Sequence, residues 1–166
     1  MLDQKLLMEL QEYIDKYLIT EDLILYSSVE KYEDIIEDLQ ESEIDDFINS
    51  HRQPTFQTVL FNYIDEIGVN DPEVYKKAGI DRKLFSKIRS KPDYHPRKTT
   101  ILALALALEL SKKETDKLLI SAGYSLSDSD TTDLIIQFCL EKKIYDIDHV
   151  NQMLDYYSMK TLSGVK

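Results

Sequence analysis

An all-α fold is what this sequence predicts, and three features carry that reading. Apolar residues recur at spacings of three and four in almost every segment, the period of one helix face. Polar capping residues precede those runs and glycines follow several of them. Only 4 Gly and 4 Pro occur in 166 residues, too few for a β fold built on many tight turns. The length suits one domain with a smaller appendage, and a hydrophobic fraction of 43% is enough for a buried core.

Three charge zones divide the chain. The net charge is −11. Residues 1–50 hold 15 acidic and 3 basic side chains, residues 51–100 hold 6 and 10, and residues 101–166 hold 10 and 7. The first segment therefore carries the whole negative excess, and the middle one is positive. Such asymmetry marks segments with different tasks.

The acidic segment keeps a helical pattern. Leu2, Leu6, Leu7, Leu10, Ile14 and Leu18 form one stripe. Val29, Tyr32, Ile35, Ile36 and Leu39 form a second within 23–39, after a cap at Thr20-Glu21-Asp22. Ile44, Phe47 and Ile48 mark a short third helix. Asn49 to Pro54 has no apolar residue and ends in proline, which sets a boundary between an acidic segment, 1–50, and the rest. Two roles fit these helices: packing against the main domain, or docking on a basic protein partner or a second copy.

From Thr55 the punctuation tightens. Phe56, Val59, Leu60, Tyr63, Ile64 and Ile67 make a helix that Gly68 ends. Asn70-Asp71-Pro72 starts a short helix running to Ala78, and Gly79 stops it. Ile80 is apolar, and Asp81 caps a third helix, RKLFSKIRSK. So short a connection forces two helices to cross steeply, the geometry of a helix-turn-helix. Ile80, Leu84, Phe85 and Ile88 fall inward, which leaves Arg82, Lys83, Ser86, Lys87, Arg89 and Ser90 outside. A donor-rich face of this kind suits a DNA major groove, where Arg and Lys read guanine edges or hold phosphates. Residues 79–98 hold seven basic and two acidic side chains, with Tyr94 and His95 among them in a loop expected to be exposed.

These residues resemble the bacterial XRE-type, lambda-repressor-like helix-turn-helix family over 55–126. The stretch AGIDRKLFSKIRS is similar to that family's pattern at Gly79, Ile80, Asp81, Phe85, Ser86 and Ile88, and PRKTTILALALALEL resembles its next helix. The resemblance implies base contacts at Arg82, Lys83, Ser86 and Lys87. Arg89, Lys91, Arg97 and Lys98 complete the expected DNA-binding set, the last three on phosphates. Two positions depart from the family. Tyr75 stands where a small alanine usually lets the two motif helices touch, and Arg89 stands where a glutamate is common.

The remainder reads as scaffold. ILALALALEL alternates Leu and Ala like a strand, but both are strong helix formers, so a buried central helix is expected. Ser111 and Glu114 form a capping box for a helix to Ala122, and Gly123 ends it. Asp128-Ser129-Asp130 caps a helix carrying Leu134, Ile135, Ile136, Phe138 and Leu140. Asp146 or Asp148 caps a last one with Val150, Met153, Leu154 and Tyr157. These helices, in 127–166, are expected to pack back on the 51–126 domain or to form a dimer surface.

Catalytic signatures are missing. Cys139 lies among core residues and reads as a structural thiol, and one cysteine excludes an intramolecular disulfide. His51, His95 and His149 share no ligand spacing, and no phosphate-cradling glycine loop is present. The acidic pairs Glu33-Asp34 and Asp45-Asp46 read as solvated helix faces. No enzyme, metal or cofactor is expected. The N-terminus lacks a signal-peptide core, and the longest apolar run, 101–108, is far short of the ~20 residues of a membrane span. A cytoplasmic protein without membrane contact is therefore expected. Two functions follow: a DNA-binding transcriptional regulator, or a non-catalytic protein-interaction module on the same scaffold. In the second, residues 1–50 serve as a partner dock or as a lid over the basic helix.

Overall fold

The computed structural model describes residues 4–18 and 40–162, and all the regular structure among them is helical. The expected second stripe at 23–39, its cap at Thr20 to Asp22, Leu2 and the Glu33-Asp34 pair lie outside the described residues. By the density of its internal contacts the chain divides into two units, Met1–Arg52 and Gln53–Lys166.

In the first unit, α1 spans Gln4–Leu18 and α2 spans 40–51. The first three residues of the boundary stretch, 49–51, continue α2; 52–55 carry no regular structure, and the two units divide there. The Ser50 hydroxyl donates to the Phe47 carbonyl at 3.1 Å, and the His51 ring stacks on Phe47 with centroids 3.9 Å apart. These local contacts carry the helix two turns past Ile44, and Pro54 then lies beyond its end. No described side chain of α1 or α2 is buried.

The second unit is built around α6, Lys98–Ala107, which is buried on every side from Ile101 to Ala107. A helix apolar all round must be surrounded. Here α4, Asp71–Ala78, α7, Lys112–Ser121, and α9, Ile147–Tyr156, pack on it. α3, Phe56–Ile67, packs on α7, and α8, Thr131–Glu141, lies against α7 and α9. α5, Arg82–Ser90, follows α4 after three residues. The alternating Leu and Ala of α6 serve helix packing: its leucines fill the core and its alanines let neighbours approach.

Local chemistry sets most helix ends. Thr55, Asn70, Asp81, Ser111, Asp130 and Asp146 each accept a backbone N–H at their helix start. Asp146, not Asp148, takes the last of these. The Ser111–Glu114 capping box has both of its bonds. Proline 72 sits at the second helical position, because α4 begins one residue earlier, at Asp71. The expected stripes are over-wide at their edges. Ile67, Leu134, Phe138 and Tyr157 are exposed, while Val150, Leu154, Ile136 and Leu140 are buried. Cys139 is buried with its thiol 3.6 Å from the Met153 sulfur, and burial pushes its pKa up.

Candidate nucleic-acid interface

α5 owes its direction to the turn before it. Gly79 adopts φ 68°, a left-handed conformation that strains any side chain. It lets the Ile80 N–H return to the Tyr75 carbonyl at 2.9 Å, closing α4. Asp81 then opens α5 by accepting from the Lys83 N–H at 3.1 Å. With both ends fixed within three residues, Phe85 and Ile88 point into the core, each 2% exposed, and Leu84 and Ile80 are half-buried. Arg82, Lys83, Ser86 and Lys87 are left on the opposite face, all exposed. Among the described residues, Arg82 and Lys83 enter no ion pair, and neither does Lys87.

The eight expected contact residues separate into two groups. Lys91 is exposed at the C-terminal end of α5, and Arg97 is exposed as the residue before α6, where its side chain caps nothing. Arg82, Lys83, Ser86 and Lys87 join them as an open set. Arg89 and Lys98 do not. The Arg89 guanidinium bonds Asp71 at 2.6 Å and lies over the Phe61 ring at 4.0 Å. It ties α5 to the start of α4 and to α3. The Lys98 ammonium bonds Asp133 at 2.6 Å, and Asp133 is almost wholly buried. The same carboxylate accepts the Ser127 N–H at 2.8 Å. Taking Lys98 to a phosphate would strand a buried charge, a cost of several kcal/mol. Lys98 is therefore held as a strut, while Arg89 is engaged by Asp71 and Phe61 with about half of its side chain still exposed.

The loop after α5 is more anchored than its composition implies. The Tyr94 ring is half-buried beneath the Lys87 ammonium, 4.5 Å from it. His95 Nε2 lies 2.5 Å from the Ala122 carbonyl, so that nitrogen carries the proton and donates. The Tyr124 hydroxyl donates to the Pro96 carbonyl at 3.0 Å, and Pro96 is buried. His95 is exposed, as expected, and Tyr94 is half-buried; both are held in place, by α5 and by the end of α7.

Gln57 is a residue that pattern reasoning missed. Its amide nitrogen donates to the carbonyls of Ile88 and Arg89, the last turn of α5. Those carbonyls have no partner inside the helix, so a side chain from α3 supplies one. A glutamine on a helix carries no signal for such a bond; only the packing of α3 against α5 creates it. Tyr75, the bulky departure, lies half-buried with its ring 5.7 Å from Phe85.

Arg82, Lys83 and Lys87 on one helix face, with Lys91 at its C-terminal end, can hold several phosphate oxygens, and Arg97 is a further exposed cation before α6. Asp81 and Asp93 are the exposed acids closest in sequence, and Asp81 is engaged as a cap. No cluster of His, Cys, Asp and Glu able to hold a metal occurs among the described residues, and no described helix is long and apolar enough to cross a membrane. Comparison with family models, curated proteins and solved structures finds no match for this chain.

Proposed function

We propose that this protein binds duplex DNA, with α4, the Gly79–Asp81 turn and α5 acting as a helix-turn-helix of the lambda-repressor type. One observation carries the reading: the outward face of α5 presents Arg82, Lys83, Ser86 and Lys87 with no acidic side chain between them, while the opposite face is sealed in the core. A helix so held presents its donors as a rigid set, which suits readout of base edges. Lys91 and Arg97 extend the set toward phosphates. Arg89, Gln57 and Asp71 are positioning residues that hold α5 at the required angle.

Charge reversal of Arg82 and Lys87 to Glu is the direct test. Both side chains are exposed, so thermal stability should change little. Affinity for duplex DNA at low salt should fall by about 100-fold or more, since each lost contact costs roughly 1–3 kcal/mol. Unchanged affinity in the reversed variant would remove α5 from the interface.

A second reading, a protein-interaction module on the same scaffold, is favoured by the exposed apolar side chains of α1 and α2. It predicts a wild-type chain that does not bind duplex DNA at any salt concentration.

A further inference from the structure

Two features of the chain complement each other and play no part in the α5 reading. The first is α2. Ile44, Phe47 and Ile48 are 55%, 62% and 42% exposed, an open apolar stripe at the i, i+3, i+4 spacing. At about 100° per residue, Glu41 and Asp45 lie along one side of that stripe and Glu43 along the other. No Lys or Arg occurs in 40–51.

The second feature is a groove of ≈ 700 Å3 on the Gln53–Lys166 unit, between the start of α3, the loop after α5 and α7. Its apolar wall includes Phe56, Val59, Tyr94 and Ile120, and Ile120 is 67% exposed. Lys113 and Lys117 stand on its α7 side, both exposed and without an ion pair among the described residues. Two acids also border it. Asp116 is paired with Lys112 at 3.1 Å, and Asp93 lies in the loop-side wall.

We propose that the groove receives α2 of a second copy of this chain. The apolar stripe fits the apolar wall, and on the α7 side the flanking charges match in sign and spacing, while Glu43 faces the wall that holds Asp93. Glu41 and Asp45 are four residues apart on one helix, as are Lys113 and Lys117 on another. Pairs so spaced lie about 5–6 Å apart on a helix surface. An α2 seated beside α7 therefore brings two carboxylates opposite two ammonium groups. The mode is that of an amphipathic helix in a groove, with Ile44, Phe47 and Ile48 as anchors. Because each copy carries both halves, two reciprocal contacts related by a two-fold axis close a dimer.

Sedimentation equilibrium of the full chain across a concentration series tests this. The wild type should convert from monomer to dimer as concentration rises. Phe47→Glu should weaken the association at least about tenfold, and so should the double change Lys113→Glu with Lys117→Glu. Adding Glu41→Lys and Asp45→Lys to the lysine variant swaps the signs and should restore the wild-type Kd within roughly threefold. That restoration cannot come from a general effect on folding. A chain that stays monomeric throughout, a dimer that neither variant weakens, or a failure of the sign swap to restore it would each overturn the proposal.

Discussion

The two units of this chain share a helical periodicity and use it in opposite ways. In Gln53–Lys166 the apolar stripes close on one another around α6, and the charged side chains left outside α5 are basic. In the first unit, α1 and α2 leave Leu6, Leu7, Leu10, Ile44, Phe47 and Ile48 exposed between acids. The contrast teaches that a stripe records only which face of a helix is apolar. What covers the face depends on partners elsewhere in the chain or outside it. The global charge of −11 likewise averages an acidic unit and a basic face, so it says nothing against phosphate binding by α5.

The largest effect that would sharpen this contrast is on folding stability. Leu104 is fully buried in α6, and Leu104→Ala should destabilise the chain by about 3–4 kcal/mol, through lost transfer energy and the cavity left behind. Ile48→Ala in α2 should change stability by no more than about 0.5 kcal/mol. Chemical denaturation of both variants reads the difference; similar losses would mean that α2 is as much core as α6.

A smaller effect tests the strut role of Lys98. Asp133→Ala removes the partner of Lys98 and the acceptor of the Ser127 N–H. A loss of about 2 kcal/mol is expected, below the full value for a buried pair because Lys98 keeps partial access to water. Duplex affinity of the folded variant should stay close to wild type. If affinity instead rises because a freed lysine reaches phosphate, Lys98 belongs to the interface after all.

The smallest effect should be a gain. Thr115 is fully buried in α7, and its hydroxyl has no hydrogen-bond partner among the described residues. Thr115→Val keeps the shape and removes that cost, so the thermal midpoint should hold or rise, by up to ~1 kcal/mol in stability. A clear drop would mean that the hydroxyl is satisfied in solution, and that the core around α7 is less dry than its packing implies.

Much of the second unit was legible in the sequence because its signals are local. Asn70, Asp81, Ser111 and Asp130 cap within three residues of themselves, and Gly68 and Gly79 close helices by backbone conformation alone. The helical state of ILALALALEL followed from propensity where its alternation misled. Less legible were properties decided at long range. Arg89 and Lys98 look like their exposed neighbours until Asp71, Phe61 and Asp133 arrive from elsewhere in the chain. Gln57, Tyr124 and the tethering of His95 depend in the same way on tertiary packing. The boundary at 49–54 holds the division between the units, but its first half, 49–51, stays helical through Ser50 and His51 bonding back to Phe47.

Duplex binding by the full chain across a salt series tests the basic face of α5 most directly. Arg82, Lys83, Lys87, Lys91 and Arg97 form the open cationic set, so the plot of log affinity against log salt should fall with a slope between roughly −3 and −5. A wild-type chain that fails to bind duplex DNA at low salt, or binds with a slope near zero, would contradict the claim.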